Sequence, residues 1–143
     1  MEKALVSRCL VGELCRWDGK RLNAERPAVI KGFELIAVCP EMDGGLPCPR
    51  QRAEITSGQG SDVLDGKSRI RDKDNRDLTE IFLKGAQNAL DVAKHHKIRK
   101  AFLKDKSPSC GVKRIYIDGR PTYGMGVTAT LLHRHGIEVI AIE

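Results

Sequence analysis

The apolar run Ala101-Phe-Leu103 stops on Lys104-Asp-Lys-Ser-Pro-Ser-Cys-Gly111, a turn that brings a thiol, two hydroxyls and several backbone N–H groups to one point. Such a composition suits site chemistry better than packing. Two further strand-like runs, Ala4-Leu-Val-Ser-Arg-Cys9 and Leu35-Ile-Ala-Val-Cys-Pro40, also end on cysteine, so three of the five cysteines stand where strands finish. In a parallel α/β sheet those ends share one edge, and ligands bind in the crevice outside it. The expectation is one site built from three thiolates, Cys9, Cys39 and Cys110.

A lone cysteine often behaves as a small buried hydrophobe. Three at equivalent strand ends, each followed by polar, Pro or Gly residues, weigh against that reading for the group. A structural zinc site closes with four ligands, two of them normally from a local pair, and the chain contains no C-x-x-C. A cubane iron–sulfur cluster held by three soft thiolates instead leaves one iron open to a substrate. Cys15, in the loop Gly12-x-x-Cys-Arg-Trp-Asp-Gly19, is a candidate fourth ligand or redox partner of Cys9, and Cys48, between two prolines, reads as a bystander.

Around these thiols stand groups with two readings each. Glu41, two residues beyond Cys39, suits a general base beside the site and equally an acceptor for loop N–H groups. Ser107 and Ser109 are turn formers or donors to a substrate heteroatom. Gly44-Gly45 and Gly124-Met-Gly126 permit close backbone approach to a bound molecule, although neither matches a nucleotide-phosphate fingerprint. Gly126 also opens a helix whose N-terminus would attract an anion. His95-His96, His133 and His135 fall at helix C-termini, where an imidazole meets the negative end of the dipole.

The elements that must position these residues follow from periodicity. Lys3 to Ser7, Glu34 to Val38, Ile98 to Leu103 and Glu138 to Ile142 read as strands. A short helix capped by Asn23, with Pro27 near its first turn, runs to Gly32. Asp77-Leu-Thr-Glu80 opens the longest helix, which keeps helical spacing through Ile81, Leu83, Ala86, Ala89, Leu90 and Ala93 up to His95-His96. A last helix spans Gly126 to His135 and ends at Gly136. Alternation over Asp62 to Ile70 about Asp65-Gly66 predicts one surface hairpin, and Arg114 to Gly124 a second. Together these predict a single α/β domain over residues 1–143, a three-layer Rossmann-like sandwich on a small, mostly parallel four-stranded sheet with surface hairpins.

A chain of 143 residues suffices for one sizeable core. Aromatic residues make up only 4% of it, so that core should be aliphatic. The net charge of +6 is spread without a basic block, which reads first as a solvated surface and second as a footprint for anions or nucleic acid. No run is long enough for a membrane span and the N-terminus lacks the apolar core of a signal peptide. A cytoplasmic protein is expected. An odd cysteine count in such a chain points to metal or thiol chemistry more than to a disulfide framework.

In its ordered motifs the sequence resembles a bacterial family of iron–sulfur-dependent thiouracil desulfidases, formerly a domain of unknown function. The resemblance runs nearly end to end, through Ser7-x-Cys-Leu10 and Gly12-x-x-Cys-Arg-x-Asp-Gly19, Cys39-Pro-Glu-x-x-Gly-Gly-Leu46, Pro49-Arg50, Glu54, Lys106-Ser-Pro-Ser-Cys-Gly111 and Gly126-Val127. It implies a [4Fe–4S] cluster with one open iron site, held by Cys9, Cys39 and Cys110, with Glu41 as acid/base and Ser107 as its helper. Ser109, Gly44 and Gly45 are the expected substrate contacts. The implied activity is non-redox desulfuration of a small thiolated nucleobase such as 2-thiouracil to its carbonyl product and hydrosulfide, with iron–sulfur assembly machinery as a partner. Arg16, Arg50, Lys104 and Lys106 are expected to offset the cluster's negative charge. Trp17 stands where relatives carry tyrosine, and Cys48 where they often carry no cysteine. The competing classes are a cysteine-rich metal- or RNA-binding module, disfavoured by the absence of a known RNA-binding motif, and a thiol redox protein using Cys9 and Cys15.

Overall fold

The computed structural model describes residues 1–12, 17–19 and 28–143. Eight strands are assigned among them: β1 (Lys3–Ser7), β2 (Glu34–Val38), β3 (Ala53–Ile55), β4 (Ile70–Asp72), β5 (Lys100–Lys104), β6 (Arg114–Ile117), β7 (Arg120–Tyr123) and β8 (Glu138–Ile142). The α-helices are α1 (Pro40–Asp43), α2 (Gly60–Leu64), α3 (Thr79–His95) and α4 (Val127–Arg134). Four strands form a wholly parallel sheet in the order β2-β1-β5-β8. The register aligns Leu5 with both Ile36 and Ala101, and Phe102 with Ile140. Ala4, Leu5 and Val6 are buried, the continuous apolar run that a strand covered on both faces requires.

Right-handed crossovers then decide which face each connection covers. The steps from β2 to β5 and from β5 to β8 run in the same sense across the sheet, so α3 and α4 lie on one face. There Leu5, Ala101 and Leu103 pack with Ala89, Leu90, Ala93, Ala129 and Leu132. The step from β1 to β2 runs the opposite way. Ala4, Val6 and Phe102 accordingly face Ile30 and Phe33, whose ring meets Phe102 edge-on at 5.1 Å. The helix expected up to Gly32 is a short 3-10 turn over Ala28–Ile30; its proposed start, like Cys15 and Arg16, lies outside the described residues.

The long helix begins where expected, with the Thr79 N–H donating to Asp77 Oδ1 at 3.0 Å. Its core stripe runs through Phe82, Ala86, Ala89, Leu90 and Ala93. Phe82 takes the place predicted for Ile81 and Leu83, which are half-buried. The hairpin predicted about Asp65-Gly66 is absent. Residues Gly60–Leu64 form α2, its first turn held by the Gln59 N–H donating to the Asp62 carboxylate at 2.9 Å, and Gly66 ends it at φ 78°. A left-handed glycine serves a hairpin turn and a helix end alike. β4 instead pairs antiparallel with β3, and both pack through Ala53, Ile55 and Ile70 on Phe82 and Ala86. The second predicted hairpin is β6–β7. No helix among the described residues is long and apolar enough to cross a membrane.

α1 and α3 meet at two glycines. A Cβ on Gly85 of α3 would lie 1.9 Å from the Pro40 carbonyl oxygen, and one on Gly44 would lie 2.3 Å from the Ile81 carbonyl oxygen. α1 thus rests backbone to backbone on α3. Alanine in a helix interior ordinarily stabilises relative to glycine, but Gly85→Ala is expected to destabilise by about 1–3 kcal/mol through this overlap. Chemical denaturation checks it, and a neutral or stabilising effect would contradict the packing.

Candidate active site

The parallel strand order reverses direction between β1 and β5, the place where an open α/β sheet leaves a crevice at the C-terminal strand ends. A cavity of about 370 Å³ lies there, lined by Cys9, Cys39, Cys110, Glu41 and Ser107 together with Ser7, Trp17, Arg50, Arg52, Asp105 and Tyr116. Cys9 sits in a 3-10 turn directly after β1. Cys39 precedes Pro40 at the first turn of α1, and its N–H donates to Asp43 Oδ2 at 3.1 Å. Arg8 donates to the same carboxylate, its Oδ1 3.1 Å away, which ties the turn bearing Cys9 to the helix beside Cys39. All three cysteines are buried.

Cys110 is presented by a turn that Ser107 organises. Ser107 Oγ accepts the N–H groups of Ser109 at 3.0 Å and Cys110 at 3.1 Å, the serine turn its composition suggested. Ser107 therefore lines the cavity while holding the thiol in place. Ser109 is not on the cavity. It is fully buried and its hydroxyl shares a 2.7 Å hydrogen bond with Thr128 on α4, so the predicted substrate contact is a packing contact. Gly44 and Gly45 are likewise absent from the lining, Gly44 being spent on the approach to α3.

The expected anion site at the start of α4 is already filled by the chain itself. Val127 N–H donates to Pro108 O, and Thr128 and Ala129 N–H to Ser109 O. The turn that carries Cys110 is the N-terminal cap of α4, which satisfies donors that a helix start otherwise leaves open.

Glu41, on α1, accepts a hydrogen bond from Arg50 at 2.8 Å, with both side chains largely buried. The backbone N–H of Arg50 donates to the Trp17 carbonyl at 2.8 Å, so one residue anchors both the acidic group and the loop carrying the sole tryptophan. Lys104 and Lys106, expected to supply positive charge, also line the cavity, as do Arg8 and Arg52. Cys48 does not.

Burial pushes the Cys110 thiol well above its ordinary pKa, and Glu41, then Cys39 and Cys9, push it the same way, against the pull of a hydrogen bond with Ser7. Ser7, whose hydroxyl also accepts the Lys104 N–H at 2.9 Å, stands in the sequence motif Ser7-x-Cys-Leu10 but was given no role of its own there. A buried thiol facing other thiols and a carboxylate becomes a thiolate readily only when positive charge arrives, as a bound metal supplies. Among the described residues no three His, Cys, Asp or Glu side chains converge on a single metal ion. Three soft thiol donors around one cavity suit a soft metal or an iron–sulfur cluster.

Asp105, missed in the sequence, holds this edge together. Its Oδ1 accepts the N–H groups of Val112, Lys113 and Arg114 at 2.9, 3.0 and 3.2 Å, joining the end of β5 to the start of β6 around the Cys110 turn. Burial alone would raise its pKa, but the backbone N–H groups of Val112, Arg114, Lys113 and Lys106 outweigh it and hold the carboxyl below the usual carboxylate range. A depressed folded pKa means that the stabilisation is complete above the unfolded value, about 3.9, and is lost as pH falls below it. Asp105→Asn should be less stable at pH 7 and should lose less stability than the parent between about pH 5 and pH 3. Urea unfolding across that range tests this; parallel pH profiles would remove Asp105 from the account.

The comparisons with known proteins agree with this geometry. A family model described as 2-thiouracil desulfurase matches residues 4–143. The uncharacterized protein YbbK of Bacillus subtilis (strain 168) is 39% identical over 141 residues, covering 96% of this chain and 93% of that protein. Among solved structures, a [4Fe–4S]-dependent thiouracil desulfidase, TudS, matches with a TM-score of 0.85 at 36% identity, over 99% of this chain and 91% of that one. With the fold, the three strand-end thiols and the match all spanning the same residues, the chain belongs to the 2-thiouracil desulfurase family.

Proposed function

We propose that the protein is a [4Fe–4S]-dependent desulfidase that converts a small thiolated nucleobase such as 2-thiouracil to its carbonyl counterpart. The observation that carries this reading is the meeting of Cys9, Cys39, Cys110 and Glu41 on one cavity. Cys9, Cys39 and Cys110 would hold the cluster, which when bound supplies an open, thiophilic iron acting as a Lewis acid toward the thiocarbonyl sulfur. Ser107 fixes the backbone that presents Cys110. Arg50 holds the Glu41 carboxylate at the wall. Glu41 takes a proton from the water that adds to the thiocarbonyl carbon and returns it as the C–S bond breaks. The sum is thiocarbonyl plus water giving carbonyl plus hydrogen sulfide, with no electron gained or lost. The lysines and arginines around the cavity offset the negative charge of three thiolates and a carboxylate. Iron–sulfur assembly machinery would deliver the cluster, and the cytoplasm is the reducing compartment in which the thiols stay available for it.

Anaerobic reconstitution is expected to give about four irons per chain. Substituting Cys9, Cys39 or Cys110 by serine should abolish the cluster absorption, while Cys48→Ser should keep it; tight zinc in place of iron would refute the reading.

Glu41→Gln keeps size but removes the titratable group. It should assemble the cluster normally and release sulfide from 2-thiouracil about 10²–10⁴-fold more slowly, with Ser107→Ala costing less. Unchanged turnover would remove Glu41 from the acid/base role.

A further inference from the structure

The cavity has one wall that neither the thiols nor Glu41 explains. Arg52, the residue before β3, lays its guanidinium on the Tyr116 ring of β6, 3.7 Å from the centroid, and stands 5.7 Å from the centroid of Trp17. All three side chains line the cavity. Among the described residues Arg52 has no carboxylate partner, in contrast to Arg50 on Glu41 and Arg8 on Asp43. Trp17 is 42% exposed although its backbone is pinned by Arg50 and Gly19 packs against Pro49. A tryptophan this exposed at a cavity is unusual for a residue that normally buries its ring.

The chemistry of the two groups is complementary. A guanidinium lying flat on a ring keeps its five N–H donors around its edge, in a fixed plane. A partly exposed indole offers a stacking surface for any planar heterocycle. We propose that Trp17 and Arg52 determine which ring enters the site: Trp17 stacks on the heterocycle and Arg52 donates to a ring carbonyl oxygen, with Tyr116 as the positioning residue that keeps the guanidinium flat. The substrate class is then a six-membered thiolated heterocycle that carries a carbonyl as well as the thiocarbonyl, so that binding the oxygen at Arg52 turns the C–S bond toward the cysteines. This inference rests on the desulfidase reading for its substrate but stands on a separate wall of the cavity.

The test uses the cluster-loaded protein under anaerobic conditions with uracil, the unreactive product, as probe. Uracil should quench the fluorescence of Trp17, the only tryptophan, and calorimetry gives the affinity. Arg52→Ala and Arg52→Lys should each weaken uracil binding about 10–100-fold, the worth of a hydrogen bond to a charged donor, because lysine keeps the charge but not the planar fork. KM for 2-thiouracil should rise to match, and kcat should fall as well, because the C–S bond is no longer turned toward the cysteines. The parent should prefer 2-thiouracil to pyrimidine-2-thione, which has no carbonyl, and both Arg52 variants should lose that preference. Trp17→Ala should weaken uracil and pyrimidine-2-thione alike, by about 5–100-fold. Cluster absorption and thermal unfolding, expected unchanged, show that each variant is folded and loaded. Unchanged uracil affinity in a folded Arg52→Ala, a retained carbonyl preference, or no quenching at saturation would overturn the proposal, even with sulfide release intact. Quenching and Arg52-dependent uracil affinity without sulfide release from 2-thiouracil would uphold this wall and refute the desulfidase reading instead.

Discussion

Parallel pairing of β1 with both β2 and β5 forces the three cysteine-bearing turns to leave the sheet at the same edge, and the site depends on that constraint more than on any single bond. In an antiparallel arrangement, strand ends would alternate and Cys9, Cys39 and Cys110 would be scattered. The hand of the crossovers adds the second condition: with α3 and α4 on one face and Ile30 and Phe33 on the other, the strand order reverses between β1 and β5 and leaves a crevice there. The thiol-bearing turns are the first residues of three connections, and Arg8 on Asp43 ties the first of them to the second.

Those ties have a cost that explains their number. Three buried thiols and a carboxylate share one cavity, and their mutual repulsion and desolvation oppose folding in any state where they are charged. The surrounding network offsets this with groups that are fully engaged: Ser107 accepts two N–H bonds, Asp105 accepts three at Oδ1, and Arg50 neutralises Glu41 within a largely buried pair. Removing one partner of such a pair leaves the other charge buried and alone, which typically costs about 3–5 kcal/mol. The Asp105 Oδ2, buried without a hydrogen-bond partner among the described residues, is where the network stays incomplete. α1 carries Glu41 and rests on α3 through two glycines, so this carboxylate is positioned by backbone contact with the longest helix.

The two aromatic-cation contacts at the cavity wall draw on a different part of the chain. β3, β4 and β6 belong to the segments that pack beside the parallel sheet, joined by Ile55, Ile70, Phe82 and Ile115 in one cluster. The reactive edge comes from the parallel sheet, while the wall bearing Arg52 and Tyr116 comes from the flanking strands.

Local pattern was enough to fix much of this. The four strands of the main sheet, the long helix, α4, the β6–β7 hairpin and the three strand-end cysteines are all legible because a continuous apolar run, a 3.6-residue period and a Ser-Pro-Ser turn act over a few residues. Gly66 misled because its left-handed backbone fits a hairpin and a helix end equally well, and only the pairing of β3 with β4, fifteen or so residues apart, decides between them. Tertiary structure alone sent Ser109 to Thr128, pressed Gly44 onto α3, set Arg50 on Glu41 and stacked Arg52 on Tyr116. Each of these joins residues on different elements whose approach depends on sheet order, crossover hand and packing distance. Amino-acid type determined which chemistry was available; the long-range packing determined which of those groups face the cavity.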